Sequence, residues 1–265
     1  TWGVQGRSEV WVGEQSGKTQ DRGEVVPATD CVVACASVAP KGNKKYVALT
    51  FDEGPSGATK QILQVLKEKG VTATFFLSGD AAEASPATAK AIVDAGCEIG
   101  SNSYSDDSLK DQDREAVREQ ITKGTDAIKS ATGVKTMLLR APYAAFDEQN
   151  WIDAMDLVFA VVSWNIDSGD WLLNGADEQV STVLDSVTPG NIVLLTDNDE
   201  CAEQTLEALP QIIDGLIADG YKIVTLSDLV KTDTSLSKKL TSLTKVTMPK
   251  DAVFPQLAED NDTTE

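Results

Sequence analysis

From residue 46 onward the apolar positions switch repeatedly between two spacings. Val47, Leu49 and Phe51 fall on every second position, and the run stops at Asp52-Glu53-Gly54-Pro55. This is the pattern of a buried strand that ends in a polar turn. A helix is predicted over 57–69, where Ile62, Leu63 and Leu66 share one face and Gly70 provides the stop. Further strands are predicted over 71–77, 97–100, 137–140, 157–164, 191–196 and 221–225. Helices are predicted over 81–95, 114–132, 148–155, 177–186 and 205–219, with a last turn over 226–230. In the longest of them Val117, Ile121, Thr125 and Ile128 recur at helical spacing, and Gly133 follows as a cap.

Strands alternating with helices imply a parallel sheet with right-handed crossovers, either open and doubly wound or closed as a barrel. Polar, mostly acidic clusters follow five of the strands, at 52–55, 101–108, 140–143, 165–171 and 196–200. A barrel brings all five to one mouth, whereas an open sheet divides them, so the expected architecture is an α/β barrel. Locally, Asp52 and Glu53 read either as carboxylates delivered for chemistry or as caps for the next helix. Residues 1–45 are polar and irregular except for an apolar patch at 31–38. They are expected to form an N-terminal arm that lays one or two strands on the main domain, with 41–45 as the link. Residues 46–231 form the domain, and the Ser/Thr- and then acid-rich 232–265 a tail on the surface or without structure.

Charge changes the picture more than composition does. Lys and Arg number 23 against 42 Asp and Glu, a net charge of -19. Such a surface repels phosphate backbones and anionic membranes, which excludes nucleic acid as an expected partner. No apolar run is long enough to cross a bilayer. Thr1-Trp2-Gly3-Val4 has neither a basic nor an apolar leader region, so any signal peptide is expected to have been removed. Histidine is absent altogether, which removes the commonest general base and zinc ligand together. Of the four cysteines, Cys31 and Cys35 lie too far apart along one strand to pair. Most of the four are expected to act as small buried apolar residues.

The polar clusters carry a resemblance. Thr50-Phe51-Asp52-Glu53-Gly54-Pro55, Ile99-Gly100-Ser101-Asn102-Ser103-Tyr104-Ser105-Asp106, Arg140-Ala141-Pro142-Tyr143, Asp167-Ser168-Gly169-Asp170-Trp171 and Ile192-Val193-Leu194-Leu195-Thr196-Asp197 resemble, in order and spacing, the five motifs of polysaccharide deacetylases. This is the NodB-homology domain of carbohydrate esterase family four. The resemblance implies a distorted (β/α)7–8 barrel, a groove for N-acetylated glycans such as those of cell walls, and a secreted or cell-surface location. It also implies a divalent ion, usually zinc, held by one Asp and two His, which polarises the acetyl carbonyl and acidifies a water. An Asp takes the water's proton and a His protonates the leaving amine.

Position by position, Asp52 stands where the family has its base and Arg140 where it has the residue that orients that base, with carboxylate partners expected in 167–170, Asp170 among them. Tyr143 and Trp171 stand where the groove is lined, and Leu194 where the acetyl methyl is met. The imidazoles are gone. Glu53 replaces the ligand Asp, Asn102 and Asp106 replace the two ligand His, and Thr196 replaces the proton donor. Oxygen donors alone suit zinc poorly. A threonine hydroxyl cannot serve as the acid near neutral pH, a loss of about 10²–10⁴ in rate. Hydrolysis by the family route is therefore expected to be negligible. The site is expected to hold no cofactor or, with Asp107 and Asp197 nearby, a hard cation such as Ca²⁺, Mg²⁺ or Mn²⁺. Two readings follow: an inactive domain that keeps a glycan-binding or structural role, or a metal-dependent de-N- or de-O-acetylase using Glu53, Asn102 and Asp106 with Asp52 as base. Tyr104, Tyr143, Trp164 and Trp171 are the aromatic residues expected near the mouth, Trp171 the foremost for exposure.

Overall fold

The computed structural model describes residues 38–110, 112–136, 138–154, 156–158 and 160–234, together with strands β1 (Val10–Glu14) and β2 (Val32–Ala36). Cys31 and the tail beyond 234 lie outside the described residues. In chain order there follow β3 (Tyr46–Glu53), α1 (Thr59–Lys69), β4 (Thr74–Leu77), α2 (Gly79–Ala84), α3 (Pro86–Asp94), β5 (Glu98–Ser101), α4 (Arg114–Thr132) and β6 (Leu138–Leu139). Then come α5 (Glu148–Ala154), β7 (Ala160–Val162), β8 (Ile166–Asp167), α6 (Ala176–Ser186), β9 (Ile192–Thr196), α7 (Ala202–Ala218), β10 (Lys222–Ile223) and α8 (Leu226–Thr232).

Seven parallel strands run in the order β7-β6-β5-β4-β3-β9-β8, and β10 pairs with the start of β3. The connectivity forces this sheet to curl. β7 and β8 are at opposite ends of the order, yet only residues 163–165 separate them. Seven strands laid flat would span about 29 Å, and that link reaches about 14 Å at most. The result is the half-barrel expected of the (β/α)7–8 type. β1 adds antiparallel to the free edge of β7, and β2 pairs antiparallel with β1.

The alternation along β3 divides the core in two. Val47, Leu49 and Phe51 face outward into the cluster shared with Ile62, Leu66, Leu209 and Ile213 of the surrounding helices. Ala48 faces inward, where Phe76, Ala160, Val162 and Ile192 meet Leu226, Leu229 and Val230. α8 therefore fills the interior at the amino ends of the strands. The carboxyl ends are left for Thr50, Asp52 and their polar neighbours.

Two expectations are corrected here. The helix over 81–95 is two helices, because Pro86 lacks an N–H and bars Ser85 from the helical region; Ser85 sits at φ -134°, ψ 59°. The strand over 157–164 is shorter, and a separate strand, β8, forms within the polar cluster at 165–171. α4 keeps its predicted bounds, because Asp113 accepts from the N–H of Ala116 at its start and Gly133 turns left-handed at its end.

Candidate active site

β3 ends by delivering Asp52 inward and turning sharply. Glu53 adopts φ 75°, a region that costs a non-glycine residue energy, and Gly54 packs so closely on the Asp197 carboxylate that a Cβ would collide with it. Three consecutive residues after β9 hold the loop that follows. Asp197 accepts from Ser56 Oγ at 2.6 Å and from Thr59 Oγ1 at 2.7 Å. Asn198 Nδ2 donates to Glu53 Oε2 at 2.7 Å. Asp199 Oδ1 accepts from the N–H of Gly57 at 2.9 Å.

Arg140, at the end of β6, reaches across the interior and is 1% exposed. It donates to Asp52 Oδ1 at 2.8 Å, to Thr50 Oγ1 at 2.7 Å and to the carbonyls of Val162 at 3.1 Å and Ser163 at 3.2 Å. Its guanidinium lies over the rings of Phe76 at 4.2 Å and Trp164 at 5.5 Å. The carboxylate partner expected for it in 167–170 is not there. Asp170 instead accepts from the N–H of Thr196 at 2.7 Å, from Thr196 Oγ1 at 2.9 Å and from Thr205 Oγ1 at 3.1 Å. Asp167 accepts from the N–H of Gly169 and from Trp171 Nε1. Asp52 and Arg140 thus form one unit, and Thr196 with Asp170 another.

Glu53, Asn102 and Asp106 do come together, lining a cavity of about 290 Å³ with Ser78, Asp80 and Asp199. A larger groove of about 850 Å³ runs along α4, away from the strand ends, with walls of mixed charge. Each of the three candidate ligands is already engaged. Glu53 takes the amide of Asn198, Asn102 Nδ2 donates to the carbonyl of Arg140 at 2.8 Å, and Asp106 accepts from the hydroxyl of Tyr143. Among the described residues no three of His, Cys, Asp and Glu are placed to hold a metal ion. A set of oxygen donors without nitrogen or sulfur does not fit the zinc of the resemblance.

Of the aromatic candidates, Trp171 and Tyr143 are 50% and 59% exposed, and Leu172 and Leu173 extend the surface beside Trp171. Trp164 packs into the inner core, and the ring of Tyr104 is covered by Lys123 at 3.7 Å. Leu194 is buried two positions before Thr196 on β9. Cys97 and Cys201 are buried and free, as small apolar residues should be; burial pushes the Cys201 thiol up to about 12. Asn198 and the anchoring role of Asp197 were not foreseen. The only signal for either was a run of polar residues following a buried strand.

Burial governs the electrostatics. It pushes the Asp52 carboxyl up to about 6 against the opposing pull of Arg140. It also raises Glu53, Asp170 and Asp197, each partly offset by hydrogen bonds it accepts. The Tyr143 hydroxyl is pushed up to about 12, chiefly by its hydrogen bond to Asp106. A carboxyl whose pKa is higher folded than unfolded makes the folded state the stronger proton binder. Stability then falls as pH rises from about 4 to about 6. For Asp52 alone the change from pH 5 to pH 7 is about 1 kcal/mol, or roughly 3 °C in Tm. The net charge of -19 acts in the same direction. Thermal unfolding at the two pH values should give the higher Tm at pH 5, and Asp52→Asn should flatten the difference; a lower Tm at pH 5 contradicts this account.

Comparison with known proteins agrees with this geometry. A model of the polysaccharide deacetylase family matches residues 39–162. A bifunctional xylanase/deacetylase of Pseudobutyrivibrio xylanivorans is 38% identical over 71% of the chain, which spans only 31% of that relative's length. A peptidoglycan-N-acetylglucosamine deacetylase of Bacillus cereus is 33% identical over 81% of the chain and 79% of its own length. Among solved structures, a family-four carbohydrate esterase pseudoenzyme from Bacillus anthracis superposes with a TM-score of 0.67 at 32% identity, covering 73% of this chain and 69% of that one. A mutant of the same pseudoenzyme has restored enzymatic activity. On the motifs, the curled sheet and the extent of the likeness to the Bacillus cereus enzyme, the chain belongs to the polysaccharide deacetylase family.

Proposed function

We propose that this domain binds N-acetylated glycan at the mouth of its half-barrel, in a secreted or cell-surface setting, and does not hydrolyse it by the zinc route. One observation carries the reading. In a chain without histidine, Glu53, Asn102, Asp106 and Thr196 occupy the four positions that need imidazole or a short ligand carboxylate, and the Thr196 hydroxyl is spent on Asp170. The base position keeps its form, with Asp52 on Arg140. A base without an electrophile or an acid on the leaving group gives amide hydrolysis no route of useful rate. In support of binding, Tyr143, bonded to Asp106 of the acidic cavity, and Trp171 both present exposed rings, surfaces suited to the apolar faces of sugar rings.

Calorimetric titration with acetylated chitooligosaccharides is expected to show binding that Trp171→Ala weakens about tenfold, the equivalent of ~1.4 kcal/mol of stacking. Because Trp171 is half exposed, its loss should leave Tm unchanged. No acetate should appear, with or without added zinc. The alternative reading, hydrolysis assisted by a hard cation, draws on the fact that Glu53, Asn102 and Asp106 line one cavity. Acetate release from chitooligosaccharides or aryl acetates on adding Ca²⁺, Mg²⁺ or Mn²⁺ would establish it and overturn the first.

A further inference from the structure

The residues at the metal positions disagree with the metal, and the manner of the disagreement has a consequence for Asn198. Its side chain makes two bonds that fix its orientation. Oδ1 accepts from the backbone N–H of Cys201 at 2.8 Å. That N–H can only donate, so Nδ2 must point the other way, and it donates to Glu53 Oε2 at 2.7 Å. Asn198 thereby ties the start of α7 to a residue whose backbone is held at φ 75°. On the other side of the cavity the Tyr143 hydroxyl does the same for Asp106, and Tyr143 is itself at φ 59°. Two carboxylates that share a cavity repel unless something electropositive stands against each. Here neutral donors from the chain stand against both.

We infer that Asn198 is a positioning residue that does for Glu53 what a cation would otherwise do, with Tyr143 as its counterpart on Asp106, so that the cavity is complete without metal. The inference needs no ligand in the groove, so a failure to bind glycan leaves it standing.

Asn198→Asp isolates the donor. A carboxylate still accepts from the N–H of Cys201, so the bond to the residue before α7 is kept, but it now opposes Glu53. The expected result is a Tm lower by about 3–10 °C, the loss of one charge-assisted hydrogen bond in a domain of this size. Millimolar Mn²⁺ or Ca²⁺ should recover that loss in the variant and leave the wild-type Tm unmoved, as should EDTA. In Glu53→Gln/Asn198→Asp donor and acceptor exchange sides, so Tm should return toward wild type without any cation. Rescue by the swapped pair is a readout that simple loss of packing would not give. Saturable cation binding by the wild type in calorimetry overturns the inference. So does an unchanged Tm in Asn198→Asp, or a swapped pair no more stable than the single variant.

Discussion

The variant Glu53→Asp/Asn102→His/Asp106→His/Thr196→His is expected to take up one zinc ion per chain and to release acetate from acetylated chitooligosaccharides, where the wild type does neither. The four changes put back the donor types that the family resemblance implies, and the frame around them is in place. Asp52 is held by Arg140 at 2.8 Å. Asp170 lies within hydrogen-bond distance of the residue at position 196, ready to orient an imidazole there through its second nitrogen. The proton donor alone should be worth about 10²–10⁴ in rate, so Thr196→His omitted from the set should give zinc uptake with little turnover. Restored activity in a mutant of the Bacillus anthracis pseudoenzyme, at 33% identity to this chain, is a precedent for the direction of the effect. Elemental analysis and an acetate assay decide it. Absence of zinc at micromolar concentrations would mean that the loops at 53 and 102–106 have moved too far for ligand substitution to suffice, and would place the loss of function in the backbone as well as in the side chains.

The parts of the fold that could be read in the sequence were those set by local spacing. The alternation in β3 and the capped period of α4 are properties of the chain itself, and both elements formed where the spacing put them. The break at Ser85-Pro86 is equally local and does form, although the helix formers on both sides mask it in the sequence pattern. The site divides in the same way. Which loops meet at the mouth follows from strand order, and the family resemblance picks Glu53, Asn102 and Asp106 out of them; all three line one cavity. The resemblance also sets Arg140 on Asp52, and the pair is there; that the carboxylates at 167–170 turn elsewhere could not be read. From the sequence the carboxylates at 167–170 look able to join Asp52 on Arg140, but in the fold Asp170 is drawn to Thr196 and Thr205. Asn198 was invisible for a related reason. One of its two bonds reaches a residue 145 positions away, and nothing in the run Thr196-Asp197-Asn198-Asp199 marks which of the polar side chains turns inward. Trp171 was legible because an aromatic residue after an acidic loop has little to bury against.

Replacing Arg140 should cost more stability than any other single change at the site. Arg140→Met keeps a long apolar side chain beside Phe76 and Trp164 but deletes the guanidinium over their rings and every donor. Asp52 is then a buried anion without its cation, and Thr50 and the carbonyls of Val162 and Ser163 each lose a bond. Breaking a buried ion pair from one side typically costs about 3–5 kcal/mol, which in a domain of this size lowers Tm by roughly 6–20 °C. The pH dependence separates charge from packing. With the opposing pull of Arg140 removed, the Asp52 carboxyl should titrate above the value of about 6 it has beside the guanidinium, so the variant's deficit should shrink at pH 5, where Asp52 is protonated, and be largest at pH 7. Asp52→Asn/Arg140→Met should recover part of the deficit at pH 7, because no charge is left buried, and only part, because the two carbonyls remain without donors. Thermal unfolding of both variants at the two pH values measures this directly. A deficit equal at pH 5 and pH 7 would assign the role of Arg140 to its packing and carbonyl bonds, and would leave the Asp52 pair with no net part in holding the half-barrel together.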